Sequence, residues 1–339
     1  MSRAQWVLVL FAILWLALAT SQRPAPPPVS SLAETSQAPA PENTRKPTAL
    51  TRMPEPPRPH YVFIILIEGL RPDALQEAQT PVIRSLWQNG AYTWTAQTTP
   101  LSLTLPAVTS LLTGLTVEHH GVDWNSWDPD RGLVRARTLF DLAHAAGLST
   151  ALFVGKKELT HLNKPTGVDY FEVAGDEDLQ VMQRAMAYIE LHKPQMVFIH
   201  LPSVDEVGHA THWMSKQQLQ AVERADTEIG HFLEFLERAG IKDQSLILLT
   251  ADHGGHGKLH GSADPRDRTI PWILWGGGVQ KNHEITASVY IWDSAPTILH
   301  ALGLTNAIST MDGKPVREAF IVSPGVGARI NGLKSSFLR

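Results

Sequence analysis

The chain of 339 residues contains no cysteine, which excludes a disulfide framework, a thiolate metal site and a lipidated N-terminal cysteine. Any metal must be held by His, Asp, Glu or hydroxyl groups. There is no surplus of one charge either. Lys and Arg number 29 against 33 Asp and Glu, which gives a formal charge of -4 and a pI near 6.4, and no long run of one sign occurs. Such a surface does not coat nucleic acid. Beyond about residue 58 the sequence also lacks a second linker and an internal repeat, so one domain is the economical reading.

What is present begins with an N-terminal segment of export type. Arg3 supplies positive charge, Trp6 to Leu18 is apolar, and Ala17-Leu-Ala19 has the small residues of a cleavage site. Residues 1–20 are therefore expected to be a signal peptide or a signal anchor, and the protein to be exported: periplasmic, secreted or membrane-anchored. The apolar run is short of the ~20 residues that cross a hydrocarbon core, which favours cleavage over a membrane tether. Residues 21–58 are rich in Pro, Ser, Thr and Ala, with Pro26-Pro-Pro28 and Pro54-Glu-Pro-Pro-Arg-Pro59. That composition predicts an extended, disordered tether. A catalytic domain is expected over 59–322 and a short tail over 323–339. The 43% hydrophobic content is ample for a large core.

Within that domain three apolar runs are continuous rather than alternating: Tyr61 to Ile67, Met196 to Pro202 and Ser245 to Ala251. Continuous runs suit strands buried on both faces. Helical patterns over Asp73–Asn89, Ala107–Leu112, Thr138–Ala146, Asp176–Leu191, Ser215–Ala239 and Ser294–Leu302 alternate with them and with shorter apolar runs at Ser149–Val154 and Trp272–Trp275. Such alternation predicts an α/β fold with a mainly parallel central sheet and helices on both faces. Ligands in these folds bind at the carboxyl ends of the strands.

Chemistry-bearing residues lie at those ends. The first run leads into Glu68-Gly69, the second into Asp205 and His209, the third into Asp252-His253-Gly254-Gly255. Asp205 and His209 share a face if their segment is helical. Adjacent Asp252 and His253 can serve one ion only if the chain turns there, which the glycines permit. His256 and His260 follow, and either closes a second site. Carboxylate and imidazole together suit zinc. Thr104, before Leu105-Pro106, is placed at or near a helix N-terminus, where developing negative charge is favoured. Alone it reads as a helix cap; beside strand-end ligands it reads as a nucleophile for phosphoryl or sulfuryl transfer.

These residues, together with Leu111-Leu-Thr-Gly114, His120-Gly-Val122 and Asp293-Ser-Ala-Pro-Thr-Ile-Leu299, occur in an order that resembles the alkaline phosphatase superfamily, and within it the type I phosphodiesterase/nucleotide pyrophosphatase branch. The resemblance runs from about residue 60 to about residue 320. It implies an alkaline-phosphatase-like fold and two divalent metal ions, zinc foremost with manganese as an alternative. Asp205, His209 and His260 hold one ion in that pattern, and Glu68, Thr104, Asp252 and His253 surround the other. His260, in Leu-His-Gly261, fits the pattern better than His256. Thr104 becomes the nucleophile of an in-line displacement through a phosphothreonine intermediate, on a small phosphate-ester substrate such as a nucleotide or lipid head group. Two positions depart from the pattern: Glu68 stands where the family has Asp, and Ala107 where the branch has Asn. Sulfatases of the main class need Cys or Ser at the nucleophile position, which Thr104 disfavours. A phosphomonoesterase and an exported binding protein without turnover remain as alternatives.

Overall fold

Strand β1 (Tyr61–Ile67) is followed in the chain by β2 (Ala91–Gln97), β3 (Thr150–Val154), β4 (Tyr170–Val173), β5 (Met196–Leu201), β6 (Ser245–Thr250), β7 (Thr269–Gly276) and β8 (His283–Glu284). They form one sheet in the order β4-β3-β5-β1-β6-β7-β2-β8. Strand β7 runs antiparallel to β6 and β2, and the remaining pairings are parallel. The structure, a computed structural model, describes residues 58–321. The expected export segment, the tether before residue 58 and the C-terminal tail lie outside the described residues. Among the described residues no helix is long and apolar enough to cross a membrane.

Every residue of β1, β3, β5 and β6 is buried, so helices cover both faces of the sheet, as the unbroken apolar runs require. Several expected helices form nearly within their predicted bounds, including Ser294–Leu302 and Lys216–Arg238. Thr138 and Asp141 close a capping box in front of the helix Leu139–Ala145. The expected helix Asp73–Asn89 is instead two, Pro72–Glu77 and Pro81–Gln88. Pro81 disfavours the helical conformation at Thr80 and starts a new helix. That second start is then held from outside: Asp226 accepts hydrogen bonds from Val82 N at 3.2 Å and Ile83 N at 2.7 Å. Strand β2 had no predicted counterpart, and a register shift between Thr93 and Ala96 breaks its alternation.

Register is what positions the site. Ile67 pairs with Leu201 and Leu66 with Thr250, so the residues leaving β5, β1 and β6 emerge side by side at one sheet edge. Beside β5, β3 ends in Gly155-Lys156 at the same edge.

Next to that edge the helices Asp178–His192 and Ser203–Ala210 begin together. Asp178 Oδ1 accepts from Ser203 N at 2.9 Å and Asp178 N donates to Ser203 Oγ at 3.1 Å, but the buried Oδ2 has no partner. Burial accordingly pushes the Asp178 carboxyl from 3.8 up to about 6. A carboxyl whose folded pKa is raised contributes its full stability at acid pH and loses it as pH rises through about 6. Asp178→Asn keeps the Oδ1 acceptor and removes the buried charge. It is expected to gain about 2–3 kcal/mol at pH 8, shrinking toward nothing near pH 4, in urea denaturation across that range.

Candidate active site

Three buried carboxylates converge at the sheet edge. Glu68, Asp205 and Asp252 are all fully buried. Glu68 leaves β1 through Gly69, whose φ of 72° suits glycine and whose absent Cβ lets Asp205 approach; an added Cβ would stand 3.1 Å from the Asp205 Cα. Asp205 and His209 do share a face of the helix Ser203–Ala210. Asp252 is pinned by Gly69 N and His253 N, which donate to its Oδ1 at 3.1 and 3.0 Å, and Thr98 Oγ1 donates to its backbone carbonyl.

The potential ligand atoms gather in two groups. Those of Asp205, His209 and His260 lie within 4.8 Å of one another, as do those of Glu68, Asp252 and His253. Each of the three histidines has Nδ1 directed at a backbone carbonyl: His209 at Lys258 O and His260 at Ser102 O, both 2.8 Å, and His253 at Gly254 O, also 2.8 Å. That arrangement fixes the tautomer and leaves each Nε2 lone pair facing the site. His256 is engaged elsewhere, with Nδ1 2.6 Å from Asp267 Oδ1, so His260 is the histidine brought to the centre.

Whether this donor set suits a metal can be judged from its spacing. Asp205 Oδ1 and Asp252 Oδ2 are buried without hydrogen-bond partners. They nevertheless face imidazoles: Asp205 Oδ1 is 3.4 Å from His209 Nε2 and 3.7 Å from His260 Nε2, and Asp252 Oδ2 is 3.3 Å from His253 Nε2. Two ligands at 2.0–2.1 Å from a tetrahedral zinc stand about 3.3 Å from each other. Atoms at that separation without hydrogen-bond geometry are disposed about a common cation, and the residues fit a metal at both groups.

Thr104 sits beside the group of Glu68, Asp252 and His253. It opens the helix Thr104–Thr113 but caps nothing; its Oγ1 donates to Glu68 Oε1 at 2.7 Å and lies 3.4 Å from His253 Nε2. The preceding segment is strained, with Ser102 at a φ of 46°, and the Ser102 carbonyl that receives His260 ties the Thr104 segment to the group of Asp205, His209 and His260.

Electrostatics follow from the crowding. Burial opposes ionisation of Glu68, but the Lys156 ammonium, with His200 and His253, outweighs it and holds the carboxyl well below the usual range. Asp252 goes the other way, pushed up to about 7 by burial and by the Glu68 charge. Burial lowers His253 and His260, keeping them neutral as ligands must be.

Three residues of this centre were not anticipated. Lys156 Nζ lies 2.6 Å from Asp205 Oδ2 and 3.0 Å from both Glu68 Oε1 and Glu206 Oε1. It follows the strand end of β3, so the rule that found the carboxylates applied to it equally. His200, which reads as an ordinary core histidine, takes Gly155 N–H on Nδ1 and presents Nε2 3.3 Å from Glu68 Oε2. Asn125 Oδ1 accepts from Leu105 N at 2.7 Å, so a carboxamide stands at the start of the Thr104 helix although position 107 is alanine. Trp213 is 4% exposed and packs against His209 and His260.

An alkaline-phosphatase-like sheet carrying two ligand groups and a threonine defines a class of phosphoryl- and sulfuryl-transfer proteins. Residues 62–257, more than half of the chain, match the type I phosphodiesterase/nucleotide pyrophosphatase family, and the chain belongs to it. Among curated relatives, an uncharacterized pyrophosphatase/phosphodiesterase of Schizosaccharomyces pombe is 26% identical over 62% of this chain and 47% of its own length. The alkaline phosphatase PhoK of a Sphingomonas species is 27% identical over 40% of this chain and 27% of its own length. The chain thus spans less than half the length of these relatives. Among solved structures, murine ectonucleotide pyrophosphatase/phosphodiesterase 5 superposes with a TM-score of 0.62 at 14% identity, covering 72% of this chain and 95% of that one. An inactive variant of that protein is in complex with AMP.

Glu68 is one methylene longer than the aspartate of the family pattern, and its contacts give the test of its role. Glu68→Gln is expected to weaken zinc binding at its group by about 10-fold or more while Glu68→Asp retains it, read by competition titration against a chromophoric chelator.

Proposed function

We propose that this protein is an exported, metal-dependent hydrolase that cleaves phosphodiesters or nucleotide pyrophosphates through a covalent threonine intermediate. The observation that carries the reading is the Thr104 hydroxyl, 2.7 Å from Glu68 Oε1 and directed into one ligand group while its own segment holds a histidine of the other. Glu68, Asp252 and His253 would hold one divalent ion beside Thr104, and Asp205, His209 and His260 the other; zinc suits the mixed imidazole and carboxylate donors. Such ions, when bound, supply Lewis acidity to the phosphoryl oxygens and lower the pKa of bound hydroxyls.

The chain's own residues account for the rest. Thr104 Oγ1, held in place by its hydrogen bond to Glu68 Oε1, gives up its proton to solvent and forms the bond to phosphorus as the bond to the leaving oxygen breaks. The leaving group departs with a proton, and water hydrolyses the phosphothreonine, returning Thr104 and releasing the phosphate product. Asn125, with Oδ1 committed to Leu105 N, offers its amide hydrogens toward a phosphoryl oxygen. Export rests on the composition of residues 1–20 alone. The AMP complex of the murine relative supports a nucleotide among the substrates.

A second reading, phosphomonoesterase, is favoured by Lys156. Its ammonium touches carboxylates of both ligand groups, where a monoester's additional ionised oxygen would benefit from a cation, and the similarity to an alkaline phosphatase points the same way. The parent and two variants on p-nitrophenyl phosphate, bis-p-nitrophenyl phosphate and a nucleotide p-nitrophenyl ester decide between them. Thr104→Ala is expected to lose on the order of 10³-fold or more on every substrate with stability changed by less than ~1 kcal/mol. An undiminished rate in that variant would end the covalent mechanism. For a diesterase, kcat/KM of the parent is highest on the diesters and Lys156→Met costs diester and monoester turnover alike. A loss confined to the monoester makes the second reading the correct one.

A further inference from the structure

Trp213 contacts two ligands of one group and the backbone next to a ligand of the other. Its Nε1–H donates to Gly69 O at 2.8 Å, directly behind Glu68. Its ring meets His209 edge-on with centroids 5.1 Å apart and His260 at 6.0 Å. Its backbone N–H donates to Gly257 O at 2.8 Å, in the loop whose Lys258 carbonyl orients His209.

The surroundings are shaped for the indole. A Cβ at Gly208 would come within 2.9 Å of its ring, and one at Gly255 would collide with it. The chain also accepts strain to hold it there, since Met214, with a side chain, takes a φ of 67°. A rigid plate with one donor, wedged between the end of β1 and two ring ligands, fixes distances that flexible side chains would not.

We propose that Trp213 is a positioning residue that sets the spacing between the two ligand groups, acting on one through the Gly69 carbonyl and on the other through the rings of His209 and His260. The inference rests on the metal reading of the site and deepens it. Side chains that orient metal ligands cost about 10- to 100-fold in metal affinity when replaced.

The test uses the full chain, stripped of metal by chelation and titrated with zinc and separately with cobalt. Trp213→Phe keeps the plate and loses the N–H, and Trp213→Leu loses both. The parent takes up two ions. The Phe variant is expected to bind one of them about 10-fold more weakly and to change the cobalt absorption bands; the Leu variant, where it folds, about 100-fold more weakly. A purely structural tryptophan would lower the melting temperature of the metal-free protein and leave affinities and spectrum alone. A folded Phe variant with parental affinities for both ions and an unchanged cobalt spectrum overturns the proposal. A parent that binds no ion overturns the metal reading first, and this one with it.

Discussion

Mutual repulsion among Glu68, Asp205 and Asp252 is the constraint around which this molecule is organised. Three carboxylates lie fully buried at the ends of adjacent parallel strands and of the helix that follows one of them. In a medium of low polarity such charges cannot all be carried uncompensated. The protein answers in two ways. Lys156 supplies one ammonium between two of them, and the third, Asp252, is pushed toward its neutral form. A lysine offsets part of the charge, and burial together with the Glu68 charge disfavours ionisation of Asp252.

The parts of this arrangement that were legible in the sequence are those written in local pattern. Continuous apolar runs gave β1, β5 and β6 to within a residue, because strands buried on both faces have no alternative composition. The carboxylates and histidines at their ends could be read as ligands because the strand-end rule says where to look. Within the loop after β6 spacing alone left both histidines open and the family pattern favoured His260 over His256; in the structure Asp267 takes His256 while the Ser102 carbonyl takes His260.

What the sequence hid was contributed by contacts remote in the chain. Asn125 is tied to Leu105 across a loop that carries no pattern. His200 looks like any apolar-strand histidine until β1 is laid beside β5. Trp213 is one of ten tryptophans, and its place against the histidines depends on the missing side chains of Gly208, inside the helix Ser203–Ala210, and of Gly255. The helix break at Thr80 was signalled by Pro81, but the Asp226 carboxylate that completes the second helix comes from far along the chain.

The central position of β1 has a consequence for how the protein matures. Among the described residues it is the first strand in the chain and it leads into Glu68, yet its neighbours β5 and β6 come from the middle and the later part of the chain. Neither ligand group can assemble until those distant segments have docked, since each draws residues from after β6. Non-local pairing of this kind is slow to form. The centre is therefore a property of the assembled sheet and not of any one segment.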